Sequence, residues 1–408
     1  MNQETQSTNY KWIILITLFF SQVILSIGAY AWGPLGPYLK ESLSLNSVQI
    51  GSFVSILYLA AVVASIPSGM SVDRWGVKIN LFICLMLMGG AMTFASFTKS
   101  YLSLIILIAL SGVSYGMINP LASKGLNLWF DKSLRATAFG IRQMGVTLGG
   151  AVAGVLLIYL AQLKNWNFAV LLVGLLSIGI GIIGLFFYKN PPDGPESISI
   201  GGKEPSRKAS IMDLLKNRNL LLTCFVMALL GLGQTSISAF MVLYLKEHLN
   251  FPVILAGSFL TVAMISGGIG RVFWGMMSDK LFKGQRLPVM KIVCAVATVS
   301  SLAACFWIPR LPPFLFILVA ICWGLSYLGF QGVATVLLVE ASGPELAGRA
   351  TGFGITIAWS GLASGPVIYG MIVSFGYPYA WLFVAITSFV AILLCQAIHE
   401  TDVADSRE

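Results

Sequence analysis

Charged residues are scarce in this chain: Asp, Glu, Lys and Arg make up 10% of its 408 residues. Soluble domains carry about 25% charged residues, so this scarcity excludes an ordinary soluble domain. Histidine is nearly absent, and its two copies, His248 and His399, lie at the ends of apolar segments, which argues against a histidine metal site. The six cysteines lie inside apolar segments and form no CxxC pair, so the sequence predicts neither a disulfide nor a cysteine metal centre.

Apolar residues dominate instead, at 57% of the chain, with a mean hydropathy of +0.85. Because a helix needs about 20 apolar residues to cross a bilayer, the sequence predicts an all-α membrane protein with twelve transmembrane helices. No nucleophile, base and acid combination stands out, so we expect no enzymatic activity and no cofactor. The predicted spans are 11–34, 49–70, 77–97, 101–125, 136–161, 167–188, 219–244, 253–276, 289–307, 313–338, 349–373 and 379–398.

Basic residues are distributed unequally between the predicted loops. With both termini inside, the cytoplasmic segments carry 18 Lys and Arg and the outer loops carry five, which is the positive-inside pattern. We therefore predict a multi-pass protein of the bacterial cytoplasmic membrane with both termini in the cytoplasm. The net charge of +9 is then an orientation signal, and no nucleic-acid surface is expected. The polar residues 1–11 do not resemble a cleaved signal peptide.

An internal repeat divides the chain into two halves. Three short motifs recur in the same order, 206, 212 and 214 residues later: Gly69-x-x-x-Asp73 as Gly275-x-x-x-Asp279, Gly112-Val-Ser-Tyr115 as Gly324-Leu-Ser-Tyr327, and Arg135-Ala-Thr-Ala-Phe-Gly140 as Arg349-Ala-Thr-Gly-Phe-Gly354. Such duplication is typical of secondary transporters. We predict two six-helix bundles, residues 1–189 and 219–408, joined by a cytoplasmic linker at 190–218.

The loop after the second span carries the most specific motif. It reads Gly69-Met-Ser-Val-Asp73-Arg74-Trp75-Gly76-Val77-Lys78 and resembles the GxxxDRxGRK signature of the major facilitator superfamily, with Val77 in place of a basic residue. The resemblance covers the whole chain and implies two pseudo-symmetric bundles. Because one chain with both bundles needs no partner to form a pathway, we expect a monomer. The resemblance also implies a role in gating for the motif and its copy; the alternative is that the motif only shapes a tight turn. The predicted gating residues are Gly69, Asp73, Arg74, Gly76, Lys78, Gly275, Asp279, Arg135, Arg349 and Glu340.

Two arginines, Arg142 and Arg271, fall inside predicted spans. At about 1.5 Å per residue they lie roughly 10 and 12 Å below the cytoplasmic surface, where an arginine costs about 2.5–3.5 kcal/mol to insert. All 16 acids lie in loops or at span ends, with Glu340 the nearest approach. The planar fork of arginine matches a carboxylate, and the family resemblance implies that both arginines face one central cavity. We expect them to bind an anion; the alternatives are snorkelling and bonding to backbone carbonyls.

Further polar residues in the spans are candidate substrate ligands: Asn119, Gln143, Gln234 and Gln331, with the repeat-related Tyr115 and Tyr327. Their alternative role is hydrogen bonding between helices, worth about 0.6 kcal/mol each. The run Gly268-x-Gly270-Arg271-x-x-x-Gly275 resembles the oxalate and monocarboxylate branch of the superfamily. That branch often has a second cation in the eleventh span, and this chain has none between Arg349 and Tyr377.

The sequence therefore predicts a transporter of a small organic anion, a mono- or dicarboxylate, that works by alternating access. Its partners would be the anionic substrate, the lipid bilayer and, as exchanger or symporter, a second anion or H⁺. Three alternatives stay open. The glycines Gly145, Gly149 and Gly150 resemble the fifth span of exporters of neutral or amphipathic compounds, paired arginines also suit an inorganic anion, and a sensor could use the same fold without transport.

Overall fold

The chain forms two compact units, Met1–Gly201 and Gly202–Glu408. The structure, a computed structural model, describes residues 3–189, 216–307, 312–342 and 347–398. The predicted linker at 190–218 lies mostly outside these residues, so its bounds stay a prediction.

The first unit is built from apolar helices separated by short turns. Its helices are α1 (Gln3–Tyr30), α2 (Gly36–Leu43), α3 (Ser47–Ala95), α4 (Tyr101–Trp129), α5 (Lys132–Val152), α6 (Ile158–Leu163) and α7 (Trp166–Phe187), with a π-helical turn at Ala153–Leu157 between α5 and α6. Helix α3 packs on α4 and α7, and α1 packs on α5. The first span ends at Tyr30, earlier than the predicted residue 34, because Gly33-Pro34 interrupts the helix.

The second unit has the same kind of build. Its helices are α8 (Arg218–Glu247), α9 (Val253–Lys280), α10 (Leu287–Cys305), α11 (Phe316–Trp323), α12 (Gln331–Ser342), α13 (Ala347–Val373) and α14 (Tyr377–Gln396). A 3₁₀ turn, Pro313–Leu315, precedes α11, and a π-helical turn, Gly324–Leu328, follows it. The predicted tenth span, 313–338, is therefore not one regular helix. Helix α8 packs on α13, and α10 packs on α14.

Helix α3 contains two predicted spans in one run of 49 residues. A straight helix of that length would measure roughly 74 Å, far more than the ~30 Å of a bilayer core. The backbone breaks at Gly76, where φ is 77° and ψ is 172°, a conformation that glycine adopts at little cost. The break separates the second span from the third, which were predicted as two spans.

Asn80 holds the break at Gly76 in shape. Its fully buried side chain donates through Nδ2 to the carbonyl oxygens of Ser71, at 3.1 Å, and of Gly76, at 2.8 Å, and it accepts from the Ser71 hydroxyl. A helix interruption leaves backbone carbonyls without their helical partners. One asparagine therefore satisfies two carbonyls at the break.

Eleven helical stretches among the described residues are long and apolar enough to cross a membrane. With the 49-residue stretch divided at Gly76, they correspond to the twelve predicted spans. The prediction of an all-α, multi-pass membrane protein is confirmed.

The repeated glycines Gly112 and Gly324 each allow a close contact between two helices of their unit. A Cβ on Gly112 of α4 would collide with the carbonyl of Leu57 in α3, and a Cβ on Gly324 would collide with the carbonyl of Ala263 in α9. Leu57 and Ala263 are 206 residues apart, which is also the separation of Gly69 and Gly275 in the first repeated motif. Small residues let membrane helices approach closely, so a helix pair of each unit is in backbone contact at these equivalent positions.

We expect Gly112→Ala and Gly324→Ala to lower the free energy of unfolding by about 1–3 kcal/mol each, because the added methyl group overpacks a backbone contact. Gly179→Ala in α7 is the matched control, since a Cβ there would meet no atom within 4 Å. Melting temperatures of the detergent-purified variants test this. The close-approach interpretation is wrong if the variants at 112 and 324 melt like the control.

Candidate functional site

Arg142 lies in the middle of a cluster of amide side chains in the first unit. It is 3% exposed, on α5. Its Nη1 donates to Asn119 Oδ1 and to Gln143 Oε1, both at 3.0 Å, and its Nη2 donates to Gln22 Oε1. These three acceptors are neutral, so these contacts orient the guanidinium without cancelling its charge. The structure thus brings together three residues predicted from sequence as substrate ligands, Arg142, Asn119 and Gln143.

Gln22 is the member of this cluster that the sequence prediction missed. It lies on α1 and is 1% exposed, and its Nε2 donates to the buried Ser26 Oγ at 2.9 Å. Position 22 precedes position 142 by 120 residues, so no local spacing connects them. The signal that was present is the glutamine itself, because a polar side chain in an apolar span needs a partner.

The glycines of α5 explain how α1 comes close enough for this contact. A Cβ on Gly145 would lie 3.1 Å from the Cβ of Gln22, and a Cβ on Gly149 would lie 2.6 Å from the Cβ of Ser26. Gly145 and Gly149 therefore pack against a helix of their own unit. This packing places the side chain of Gln22 beside Arg142.

Arg271 has a different environment in the second unit. It is half-buried on α9, and its Nε donates to the carbonyl oxygen of Leu328 at 3.3 Å. Three residues along the same face, Trp274 Nε1 donates to the Leu325 carbonyl at 2.7 Å. Both carbonyls belong to the π-helical turn Gly324–Leu328. Because a π turn departs from the regular α-helical ladder, it offers carbonyl groups to these two side chains.

Gln234 and Gln331 meet directly in the second unit. Gln331 Nε2 donates to Gln234 Oε1 at 3.1 Å, which joins α8 to the start of α12. Gln234 is 3% exposed. This contact has the form of a helix–helix hydrogen bond, one of the two roles predicted for these residues.

The repeat-related tyrosines occupy unlike environments. The Tyr115 ring packs edge-on against Tyr58, with 6.1 Å between centroids. Tyr327 is fully buried, and its hydroxyl contacts Ser301 Oγ at 3.0 Å and Ser388 Oγ. The Tyr327 hydroxyl therefore links the π turn to α10 and α14. A role for either tyrosine in substrate binding stays a prediction.

Asp73 of the first-unit motif forms an ion pair with Lys124, near the end of α4. Lys124 Nζ donates to Asp73 Oδ1 at 2.8 Å and to the Val72 carbonyl at 3.2 Å. Arg74 is exposed and Lys78 is half-buried. Arg135 donates to the carbonyls of Asn127, at 3.1 Å, and Phe130, at 3.2 Å, where a cation is favoured by the C-terminus of α4.

In the second unit, Asp279 and Glu340 share one arginine, Arg286, which lies in a loop and was not predicted to have a role. Arg286 Nη1 donates to Asp279 Oδ1 and to Ser278 Oγ, at 2.9 Å for the serine, while its Nε lies 3.4 Å from Glu340 Oε1. Burial acts to lower the pKa of Arg286, but the hydrogen bond to Asp279 and the charges of both acids leave that pKa raised. Asp279 and Glu340 are therefore connected through a cation that stays charged.

Other predicted gating residues have less defined environments. A Cβ on Gly69 or Gly275 would meet no atom of its own unit within 4 Å, so close helix approach within the unit does not explain these glycines. Arg349 lies in the first turn of α13, and its side chain lies outside the described residues.

Metal ligands were not predicted, and the described residues contain no group of three or more His, Cys, Asp or Glu that could hold a metal ion.

Comparison with known proteins identifies the family. The sequence model of the Major Facilitator Superfamily matches residues 18–366. The chain is 24% identical over 276 residues to a hexuronate transporter of Bacillus subtilis, covering 66% of this chain and 65%, just under two thirds, of that protein. It is 24% identical over 358 residues to the membrane sensor protein UhpC of Salmonella typhimurium, covering 83% of this chain and 80% of that one.

A solved structure shows the same fold. The crystal structure of a bacterial homolog of the human lysosomal transporter Spinster superposes with a TM-score of 0.80 at 15% identity, covering 97% of this chain and 98% of that one. The family consists of transporters and not of enzymes, which confirms the expectation of a non-enzymatic protein. On the match over residues 18–366, the chain belongs to the major facilitator superfamily.

Proposed function

We propose that the protein is a secondary transporter of a small organic anion, a mono- or dicarboxylate, that works by alternating access. It would lie in the cytoplasmic membrane with both termini in the cytoplasm, as the distribution of Lys and Arg favours. Its anion would bind through Arg142 and Arg271.

The environment of Arg142 carries this proposal. Three amide oxygens orient its guanidinium and leave its charge in place, and burying such a charge is costly unless a binding partner repays the cost. Arginine can bind a carboxylate through two parallel hydrogen bonds. An anion that enters the site would relieve the electrostatic cost that the amides do not.

The relatives support the same class of substrate. One is named as a transporter of hexuronate, which is a carboxylate that also carries several hydroxyl groups. The amides of Asn119, Gln143, Gln234 and Gln331 can donate to or accept from hydroxyls. We therefore include hydroxylated carboxylates in the proposed substrate class.

Energy coupling follows from the types of residue at the site. Proton-driven transporters use a titrating carboxyl or histidine inside the membrane, whereas three of the groups that accept from Arg142 are amides. Exchange of one anion for another, or symport in which the proton travels on a weak acid, fits these residues better than a proton relay through side chains.

Gating would use the two charged clusters. Asp73 pairs with Lys124 in the first unit, and Asp279 and Glu340 share Arg286 in the second. The acids of these clusters are open to solvent while Lys124 and Arg286 are partly buried, and ion pairs at a surface contribute about 0–1 kcal/mol each to stability. Clusters of that strength can break and re-form during a transport cycle, which suits a gating role.

A sensor is the second candidate function, favoured by the match to UhpC over 83% of this chain. A sensor would bind the same anion without moving it across the membrane. Binding and flux therefore have to be measured separately.

Carboxylate binding should depend on both arginines. We expect one class within a panel of lactate, oxalate, succinate and glucuronate to stabilise the wild-type protein by about 2.7 kcal/mol at a hundred times its dissociation constant. Arg271→Gln and Arg142→Gln should abolish the shift, because the anion loses its cation. Arg218→Gln, an exposed arginine at the start of α8, is the control. Stabilisation by neutral compounds alone, equal in all variants, would instead favour the exporter.

Transport and sensing differ in flux. In proteoliposomes loaded with the unlabelled anion that binds best, we expect wild-type protein to accumulate the labelled anion by exchange, because alternating access carries bound substrate to the other side. Saturable binding without accumulation would identify a sensor.

Asp73→Asn and Asp279→Asn should slow exchange at least fivefold while the anion dissociation constant changes less than twofold, because they alter the charged clusters and not the amide site. Asp131→Asn serves as the control, since Asp131 precedes α5 without a side-chain capping bond. Initial exchange rates and binding isotherms measured on the same preparations test the gating assignment. Parallel losses of rate and affinity would contradict it.

A further inference from the structure

The two sides of the Arg142 guanidinium differ in burial. Nη2 meets Gln22, which is 1% exposed and is fixed in turn by the fully buried Ser26. Nη1 meets Asn119 and Gln143, which are both half-buried. A ligand would therefore reach Arg142 more easily at Nη1. The side of the guanidinium at Nη2, where Gln22 lies, is the more deeply buried one and is called the closed side.

A buried arginine is most simply paired with a carboxylate, yet position 22 beside Arg142 holds an amide. Glutamate has the shape of glutamine, and a glutamate there would form a buried ion pair with Arg142. Such a pair is internally neutral and attracts no further anion, while an amide accepts the same hydrogen bond without cancelling the charge.

Arg142 decides which end of the Gln22 amide faces it, because a guanidinium only donates hydrogen bonds and therefore takes the amide oxygen. Nε2 then points the other way and donates to Ser26 Oγ at 2.9 Å, since a hydroxyl can accept. The glycines at 145 and 149 hold α1 against α5 so that this arrangement fits. The chain Ser26, Gln22, Arg142 is thus fixed from the buried side outward.

We propose that Gln22 is a positioning residue that holds the Arg142 guanidinium from the closed side and, by being neutral, keeps its positive charge available to a carboxylate arriving at Nη1. This inference rests on the proposed anion transport. The arriving carboxylate accepts from Nη1 in place of an amide oxygen. The displaced amide of Asn119 or Gln143 then turns its NH₂ group toward the anion, which a carboxylate side chain could not do.

The test compares Gln22→Glu, which keeps the shape and adds a negative charge, with Gln22→Met, which keeps the length and removes the hydrogen bond. Gln162→Glu makes the same charge change at an exposed position near the end of α6. For each variant, the melting temperature without ligand and the dissociation constant of the best-binding carboxylate are measured.

We expect Gln22→Glu to melt at or above the wild-type temperature and to bind the carboxylate at least tenfold more weakly. Gln22→Met should melt lower and lose three- to fivefold in affinity, and Gln162→Glu should match the wild type. A variant that is stable yet loses affinity separates positioning from a purely structural role, which would lower both together.

Gln22→Glu binding within twofold of the wild type would overturn the inference. If that variant does not fold, Gln22→Met decides, and unchanged affinity there overturns the inference too. Both results leave the proposed transport standing as long as wild-type protein binds the carboxylate and Arg271→Gln does not. A wild-type protein that binds no anion would overturn both.

Discussion

A positive charge held inside an apolar protein is the constraint on which the first unit depends. Arg142 is almost fully buried, and three amide side chains, on α1, α4 and α5, accept hydrogen bonds from it. Satisfying a guanidinium requires several acceptors in one plane, so three helices must approach within hydrogen-bonding distance of one side chain. The glycines of α5 allow that approach. The close packing of the helices and the hydrogen bonds to Arg142 therefore depend on the same residues.

The second unit supports its arginine with backbone groups. The π turn offers the carbonyls of Leu325 and Leu328 to Trp274 and Arg271. Backbone acceptors are fixed by the helix, whereas amide side chains can rotate and exchange acceptor for donor. Amide side chains that can rotate therefore contact Arg142, and a backbone carbonyl fixed by its helix contacts Arg271.

The features that could be predicted from the sequence are those that a single segment encodes. Hydropathy predicted the spans and the loop between the second and the third, because both depend on neighbouring residues. Arg142 was recognisable because arginine is rare inside an apolar run. Gln22, Asn80 and Arg286 were missed because their roles come from contacts made only in the folded chain. A loop arginine such as Arg286 gives no sequence signal that it bridges two acids.

The duplicated sequence around Gly112 and Gly324 adopts two different helical geometries. Gly112-Val-Ser-Tyr115 lies within the regular helix α4, whereas Gly324-Leu-Ser-Tyr327 forms the π turn. The glycines keep the same packing role, but the tyrosines that follow them do not. Duplication supplied two copies of a sequence, and a change in backbone hydrogen bonding made them chemically unequal. The sequence match between the units therefore predicts which helices pack together, but not which polar groups each unit presents.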